Sequence, residues 1–215
     1  RNQAKVINLG LFYGMGKAKL EAELGVSKDK AKELFDIYHS KVPFVKQLTN
    51  KLMSAAQRNG KIKTILNRKC RFPKYEPILK GSDWGRFVPA QDHERMLELQ
   101  AMGPHVKDEE GEFVTDKDGN KQKNYWHENG SRRAFTYKAL NKLIQGSAAD
   151  MTKRAMLDLY KEGITPHIQI HDELDISVES DAQADKIKTI MEDAVKLRIP
   201  NKVDYESGPN WGEIK

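Results

Sequence analysis

His167-Ile168-Gln169-Ile170-His171-Asp172-Glu173-Leu174-Asp175-Ile176-Ser177-Val178 is the stretch whose reading decides the fold. Ile168, Ile170, Asp172, Leu174, Ile176 and Val178 share one parity; His167, Gln169, His171, Glu173, Asp175 and Ser177 share the other. Alternation of this kind is the pattern of a half-buried strand. It is interrupted only at His171-Asp172-Glu173, which predicts two short antiparallel strands turning there. Adjacent carboxylates at such a turn repel each other unless a cation lies between them, and their hard oxygens suit a divalent metal such as Mg²⁺. An ordinary solvated turn is the plainer alternative, since acids are common in turns.

At the other end, Arg1, Lys5, Leu9 and Tyr13 recur every four residues. Each such step drifts by only about 40° around a helix, so the four form one slowly turning stripe. Ala4, Val6, Ile7, Leu11 and Phe12 supply apolar surface, and Gly10 and Gly14 allow close approach. An Arg fork and a Lys ammonium together suit phosphate oxygens. A basic face with nothing bound is the alternative. Acids for a metal and cations for phosphates are the two halves of a phosphoryl-transfer site.

Arg1-x₃-Lys5-x₇-Tyr13-Gly14 resembles the fingers-helix motif of the family A DNA polymerases. Gln145-Gly146-Ser147-Ala148-Ala149-Asp150 resembles the family's palm helix motif, and Gln169 to Leu174 its C-terminal catalytic motif. Gly208-Pro209-Asn210-Trp211-Gly212 resembles the family's closing segment. The likeness covers the chain apart from roughly residues 73–131. It implies that Asp172 ligates the catalytic metals, two Mg²⁺ ions (or Mn²⁺), with Glu173 assisting. Arg1 and Lys5 would bind the triphosphate of an incoming dNTP, and Lys5 would give a proton to the departing pyrophosphate. Tyr13 would stack near the templating base, and His171 would touch the primer terminus. Asn141 and Gln145, one helical turn apart, would contact the minor groove of primer-template DNA. Arg132 and Arg133, with Lys138, would meet its phosphates.

Two departures stand out. Leu9 occupies the place of the family's common aromatic beside the nucleotide sugar, a pattern similar to some phage enzymes. The family's first catalytic Asp lies N-terminal to the fingers helix, where this chain begins, so the resemblance implies an upstream palm and thumb segment. That segment would be in the same polymerase or in a separate chain. The expectation is that residues 1–215 alone extend no primer.

The formal net charge is +6 and the pI about 9.2, which favours an anionic partner. A mean hydropathy of −0.73 and a hydrophobic content of 38% leave a lean core. The single Cys70 excludes an internal disulfide and fits a reducing cytoplasm, that of the host if the chain is phage-encoded. No apolar run approaches membrane-spanning length.

The predicted fold class is α+β: fingers helices over 1–72, an insertion-like loop and hairpin region over 73–131, and a C-terminal palm portion over 132–215. Leu20, Leu24, Ala31, Leu34, Phe35, Tyr38, Phe44, Val45, Leu48 and Leu52 predict helical core, with Gly25 and Pro43 as breaks and Ser27 as a cap. Basic residues 60–72 predict a short strand or turn. In 73–131, Trp84 and Trp126 are candidate anchors, and Asp116 to Asn120 reads as an Asp-Gly hairpin turn, without the ligand spacing of a calcium loop. Leu140, Leu143, Ile144, Ala148, Met151, Ala155 and Leu159 predict one buried helix face. Asp181 opens a last helix whose core stripe runs to Leu197, and a strand is expected near Val203, Tyr205 and Trp211. No internal repeat is evident. A phage-type single-subunit RNA polymerase fragment and a non-catalytic basic DNA-binding module are the rival readings.

Overall fold

The computed structural model describes residues 2–13 and 15–213, without the side chains of 2–4 and 6. The expectations placed on Arg1, on Gly14 and on the side chains of Ala4 and Val6 lie outside the described residues. The architecture is α+β, with helices and, among the described residues, three two-stranded sheets. The Cα packing divides into two compact units, residues 1–62 with 69–142, and residues 63–68 with 143–215.

In the first unit, α1 (Asn2–Phe12), α2 (Lys17–Leu24), α3 (Lys28–Lys41) and α4 (Pro43–Asn59) follow one another closely. Their ends obey local chemistry. Gly25 closes α2 at φ 61, a left-handed cap that a Cβ would strain. The Ser27 hydroxyl accepts from the Lys30 amide at 3.3 Å, and Pro43 occupies the first turn of α4, where no amide donor is needed. Ser27→Ala should therefore cost about 1 kcal/mol, read as a lower melting temperature. Leu11, Leu20, Ala31 and Val45 are buried. Phe44, expected in the core, is instead 57% exposed. The i+3/i+4 rule cannot tell which side of a helix start the first residue takes before its neighbours are placed.

β1 (Lys61–Lys63) and β2 (Lys69–Arg71) form a hairpin, and β3 (Tyr75–Pro77) pairs antiparallel with β4 (Ser131–Arg133). Between β3 and β4 lie α5 (His93–Ala101) and α6 (Tyr125–Glu128), which bury Met96, Leu99 and Trp126 together. Asn124 is inside this cluster, its amide donating to the Leu99 and Gly103 carbonyls. Of the two expected anchors only Trp126 serves, for Trp84 is 79% exposed.

The expected Asp-Gly turn is one of two copies of the same device. Asp108-x-x-Gly111-Glu112 and Asp116-x-x-Gly119-Asn120 repeat at a spacing of eight residues. In each, the Asp side chain accepts the amide four residues on at 2.9 Å, and the Gly amide donates to the Asp carbonyl. Val114 donates to Val106, Gln122 to Val114 and Val106 back to Gln122, closing the ribbon on itself. The chain thus carries a short internal repeat, against expectation. It escapes a sequence reading because two copies share only the Val, Asp and Gly that build the turn.

Helix α7 (Ala139–Lys161) begins in the first unit and continues in the second. Leu140, Ala155 and Leu159 are buried as expected, but Ala148 is exposed. In the second unit, β5 (Ile168–Ile170) pairs with β6 (Glu173–Asp175), and α8 (Asp181–Asp193) is capped by the Ser180 hydroxyl. Leu197 is 44% exposed, because α8 stops before reaching it. Among the described residues no strand forms near Val203 to Trp211; Tyr205 and Trp211 are exposed. No described helix is long and apolar enough to cross a membrane.

Candidate active site

The acidic hairpin forms where it was expected, with Ile168 opposite Asp175, Gln169 opposite Leu174 and Ile170 opposite Glu173, so Glu173 belongs to the second strand and the turn is tighter than expected. His171 turns the chain at φ 54, an uncommon conformation for a residue with a Cβ. The Gln169 side-chain amide donates to the His171 carbonyl at 2.9 Å and braces that turn. Asp172 and Glu173 emerge exposed, and among the described residues neither carboxylate has an ion pair. Two adjacent hard-oxygen donors, unneutralised and open to solvent, fit one side of a divalent cation. No cluster of three or more acidic, His or Cys ligands occurs among the described residues, so donors from outside the hairpin are needed to complete such a shell.

In the other unit, α1 is continuous from Asn2 to Phe12, and the Tyr13 amide still donates to the Leu9 carbonyl at 3.0 Å. Lys5 and Leu9 are exposed and Tyr13 is half-buried, with its ring edge-on to Phe12 at 5.6 Å. Leu11, on the opposite side, is buried. Lys5 and Leu9 are thus presented to solvent, with Tyr13 partly covered beside them and Lys5 free of ion pairs among the described residues.

Helix α7 carries Asn141, half-buried, and Gln145, exposed, one turn apart. The residues after Gln145 hold a turn that sequence reasoning did not find. Within the second unit, the Ile65 amide donates to the Ser147 hydroxyl at 3.1 Å. The Arg68 guanidinium donates to the Gly146 carbonyl and to the Asp150 carboxylate, each at 2.6 Å. Asn67, at φ 64, and Thr64 shape this turn, with the Thr64 hydroxyl accepting the Arg68 amide. Burial alone would raise the pKa of Asp150; the Thr64 hydroxyl, the Arg68 guanidinium and the Leu66 amide outweigh it and hold the carboxyl below its ordinary value. Three residues of Gln145-Gly146-Ser147-Ala148-Ala149-Asp150 therefore fasten a hairpin tip to the helix. The only signal in the sequence was the basic run around Arg68, and its partner is 82 residues away.

Arg132 and Arg133 have different surroundings. Arg132 pairs with Glu76 across the β3–β4 ladder at 2.8 Å and keeps 59% of its side chain exposed. It borders a cavity of about 560 Å³ that Arg58 and Tyr137 also line. Arg133 turns inward: its guanidinium donates to the Phe72 carbonyl at 3.0 Å, lies over the Tyr75 ring and fills the space at Gly60. Gln57 clamps the same strand by accepting from the Arg133 amide and donating to its carbonyl. A Cβ at Gly60 would stand 2.7 Å from the Arg133 guanidinium carbon, so Gly is needed there for close approach as well as for φ 63.

The chain is 30% identical over 246 residues to a DNA-directed DNA polymerase of Pseudomonas phage M6, an alignment covering 99% of this chain and 29% of that protein. It is 28% identical over 225 residues to DNA polymerase I of Geobacillus stearothermophilus, covering 100% of this chain and 20% of that one. The chain thus spans less than a third of the length of these relatives. The fold is similar to that of the POL domain of Pol1 from M. smegmatis, solved with DNA primer-template and dNTP. The TM-score is 0.59 at 22% identity, over 93% of this chain and 28% of that one. The model of DNA polymerase family A matches residues 1–213, and the chain belongs to that family.

Proposed function

We propose that this chain supplies the fingers and the C-terminal palm of a template-directed DNA polymerase. Residues 1–72 would serve as fingers and 132–215 as palm. What carries the reading is one pairing of features in a family A chain: an exposed, unneutralised carboxylate pair at a braced hairpin turn, and the exposed Lys5 on the N-terminal helix. The relatives' greater length, and the need for further donors beside Asp172 and Glu173, support an upstream palm and thumb segment as partner. As part of a DNA polymerase, the chain would work in the cytoplasm.

Asp172 and Glu173 would hold a divalent cation, Mg²⁺ or Mn²⁺. When bound, such an ion neutralises phosphoryl oxygens and lowers the pKa of the attacking hydroxyl. Arg1 and Lys5 would hold the triphosphate of the incoming dNTP, Arg1 by its fork and Lys5 by a mobile charge. The primer 3′-hydroxyl would lose its proton to water as its oxygen bonds to the α-phosphorus and the bond to pyrophosphate breaks, and Lys5 would give its own proton to that leaving group. Leu9 would pack on the nucleotide sugar and Tyr13 beside the templating base. His171 would position the primer terminus, and Asn141 and Gln145 would touch the minor groove, where the acceptors of all base pairs are alike. Arg132 is free to meet a phosphate on one edge of its guanidinium. Arg133 is already engaged inside its unit, so its contribution would be to shape that surface.

Primer extension by the chain, supplied with an upstream palm and thumb segment, tests the reading. Lys5→Ala should lower the rate of nucleotide addition about 100-fold while primer-template affinity changes little. An equal fall in DNA affinity and no separate loss of rate would favour a binding module instead.

A further inference from the structure

Trp84 and Phe87, at 79% and 89% exposure, are the most exposed large apolar side chains among the described residues. Neither ring meets another ring or a cation there. The turn that carries them is nevertheless firmly held. Asp83, only 8% exposed, accepts from the Lys123 ammonium at 2.5 Å and pairs with Arg86 at 3.6 Å. The Trp84 amide donates to the Gly81 carbonyl and the Arg86 amide to the Asp83 carbonyl. Arg86 also donates to the Tyr125 hydroxyl, next to the buried Trp126. Two aromatic rings are thus left open on a backbone bolted to the Met96–Leu99–Trp126 cluster.

The chemistry around the rings selects the ligand. Asp83 is the one carboxylate between Lys80 and Val88, and Arg86 and Lys123 together more than neutralise it. Lys80 and Arg86 are exposed. A protein docking patch wants contiguous apolar area, but here Gly85 and Arg86 separate the two rings. Flat faces interleaved with cations suit a partner with a π-face and a phosphate on every unit. We propose that the turn 80–88 binds single-stranded nucleic acid, with bases stacking on Trp84 and Phe87 and phosphates meeting Lys80 and Arg86. A fixed turn loses little conformational freedom on binding, which favours affinity from only two stacked bases.

Titration of the chain with oligothymidylate, followed by tryptophan fluorescence and by anisotropy of a labelled oligonucleotide, tests this without nucleotide or catalysis. Trp84→Ala and Phe87→Ala should each weaken binding about 5- to 150-fold, and Trp84→Ala should remove most of the quenching. Trp84→Phe should keep most of the affinity, because a ring remains. Lys80→Ala should reduce the slope of log affinity against log salt by about 0.7. Unchanged oligonucleotide affinity in both Ala variants would overturn the proposal, including the case in which the turn serves a protein partner. These readouts do not depend on Asp172, so they stand or fall separately from the catalytic reading.

Discussion

Asp172→Asn is expected to lower single-turnover primer extension, by the chain supplied with the proposed upstream palm and thumb segment, about a thousandfold or more. The change keeps the shape of the side chain and removes its charge. On the proposed reading it would replace an anionic metal ligand by a neutral amide oxygen where charge must be balanced during transfer, and removal of one such electrostatic contribution costs factors of about 10² to 10³ on its own. Stability should barely respond. Asp172 is exposed and takes part in no described ion pair, and substitutions at such sites stay within about 0.5 kcal/mol. Its neighbour Glu173 carries the same charge, so any small effect should be stabilising. Primer-template affinity should hold as well, since Asp172 repels phosphate in the absence of a cation. Rapid-quench extension and a DNA titration on the same preparation separate these quantities. A rate equal to that of the unsubstituted protein would leave the hairpin as a solvated turn.

The second large effect concerns the hairpin tip on α7. Arg68→Ala should destabilise the second unit by about 2–3 kcal/mol, because it leaves the Asp150 carboxylate, 5% exposed, without its cation. The figure is below that for a fully buried pair because the Arg68 side chain is 46% exposed and solvent screens part of the interaction. The Asp150 carboxyl is held below its ordinary value of 3.8 in the folded chain. Such a group stabilises the fold fully above its unfolded pKa, and the contribution is lost as pH falls through the folded pKa. Arg68→Ala removes two of the lowering causes while burial remains, so the stability difference between the two proteins should shrink on acidification below about pH 4. Chemical denaturation at neutral and acidic pH measures this. A constant difference across that range would mean that the loss is one of packing alone. Because Gln145 precedes the Gly146 carbonyl that Arg68 holds, extension should also fall, but less than in Asp172→Asn.

Much of the molecule was legible because its causes are local. The α2 and α3 boundaries follow from Gly25, Ser27 and Pro43, each acting on its own neighbours' backbone groups. The β5–β6 hairpin follows from the interruption of one alternation at His171-Asp172-Glu173, whereas the register and the braced turn at His171 were set by the structure. Lys5 and Leu9 share an exposed stripe because helical period alone places them so, while Tyr13, just past the end of α1, is half-buried. The repeat of Asp108 to Glu112 in Asp116 to Asn120 was just as local, and went unread because turn residues are too common to stand out in two copies.

What the chain determined by itself is therefore its list of elements, the parity and period that expose its acids and cations, and the family motifs those residues spell. Tertiary structure decided the rest: that Phe44 and Trp84 lie in solvent while Trp126 is buried, that Arg133 serves its own unit, and that Arg68 finds Asp150. The physical reason is range. Backbone hydrogen bonds and side-chain periodicity act over a few residues, whereas burial and ion pairing depend on which distant surfaces meet, and no local spacing encodes that meeting.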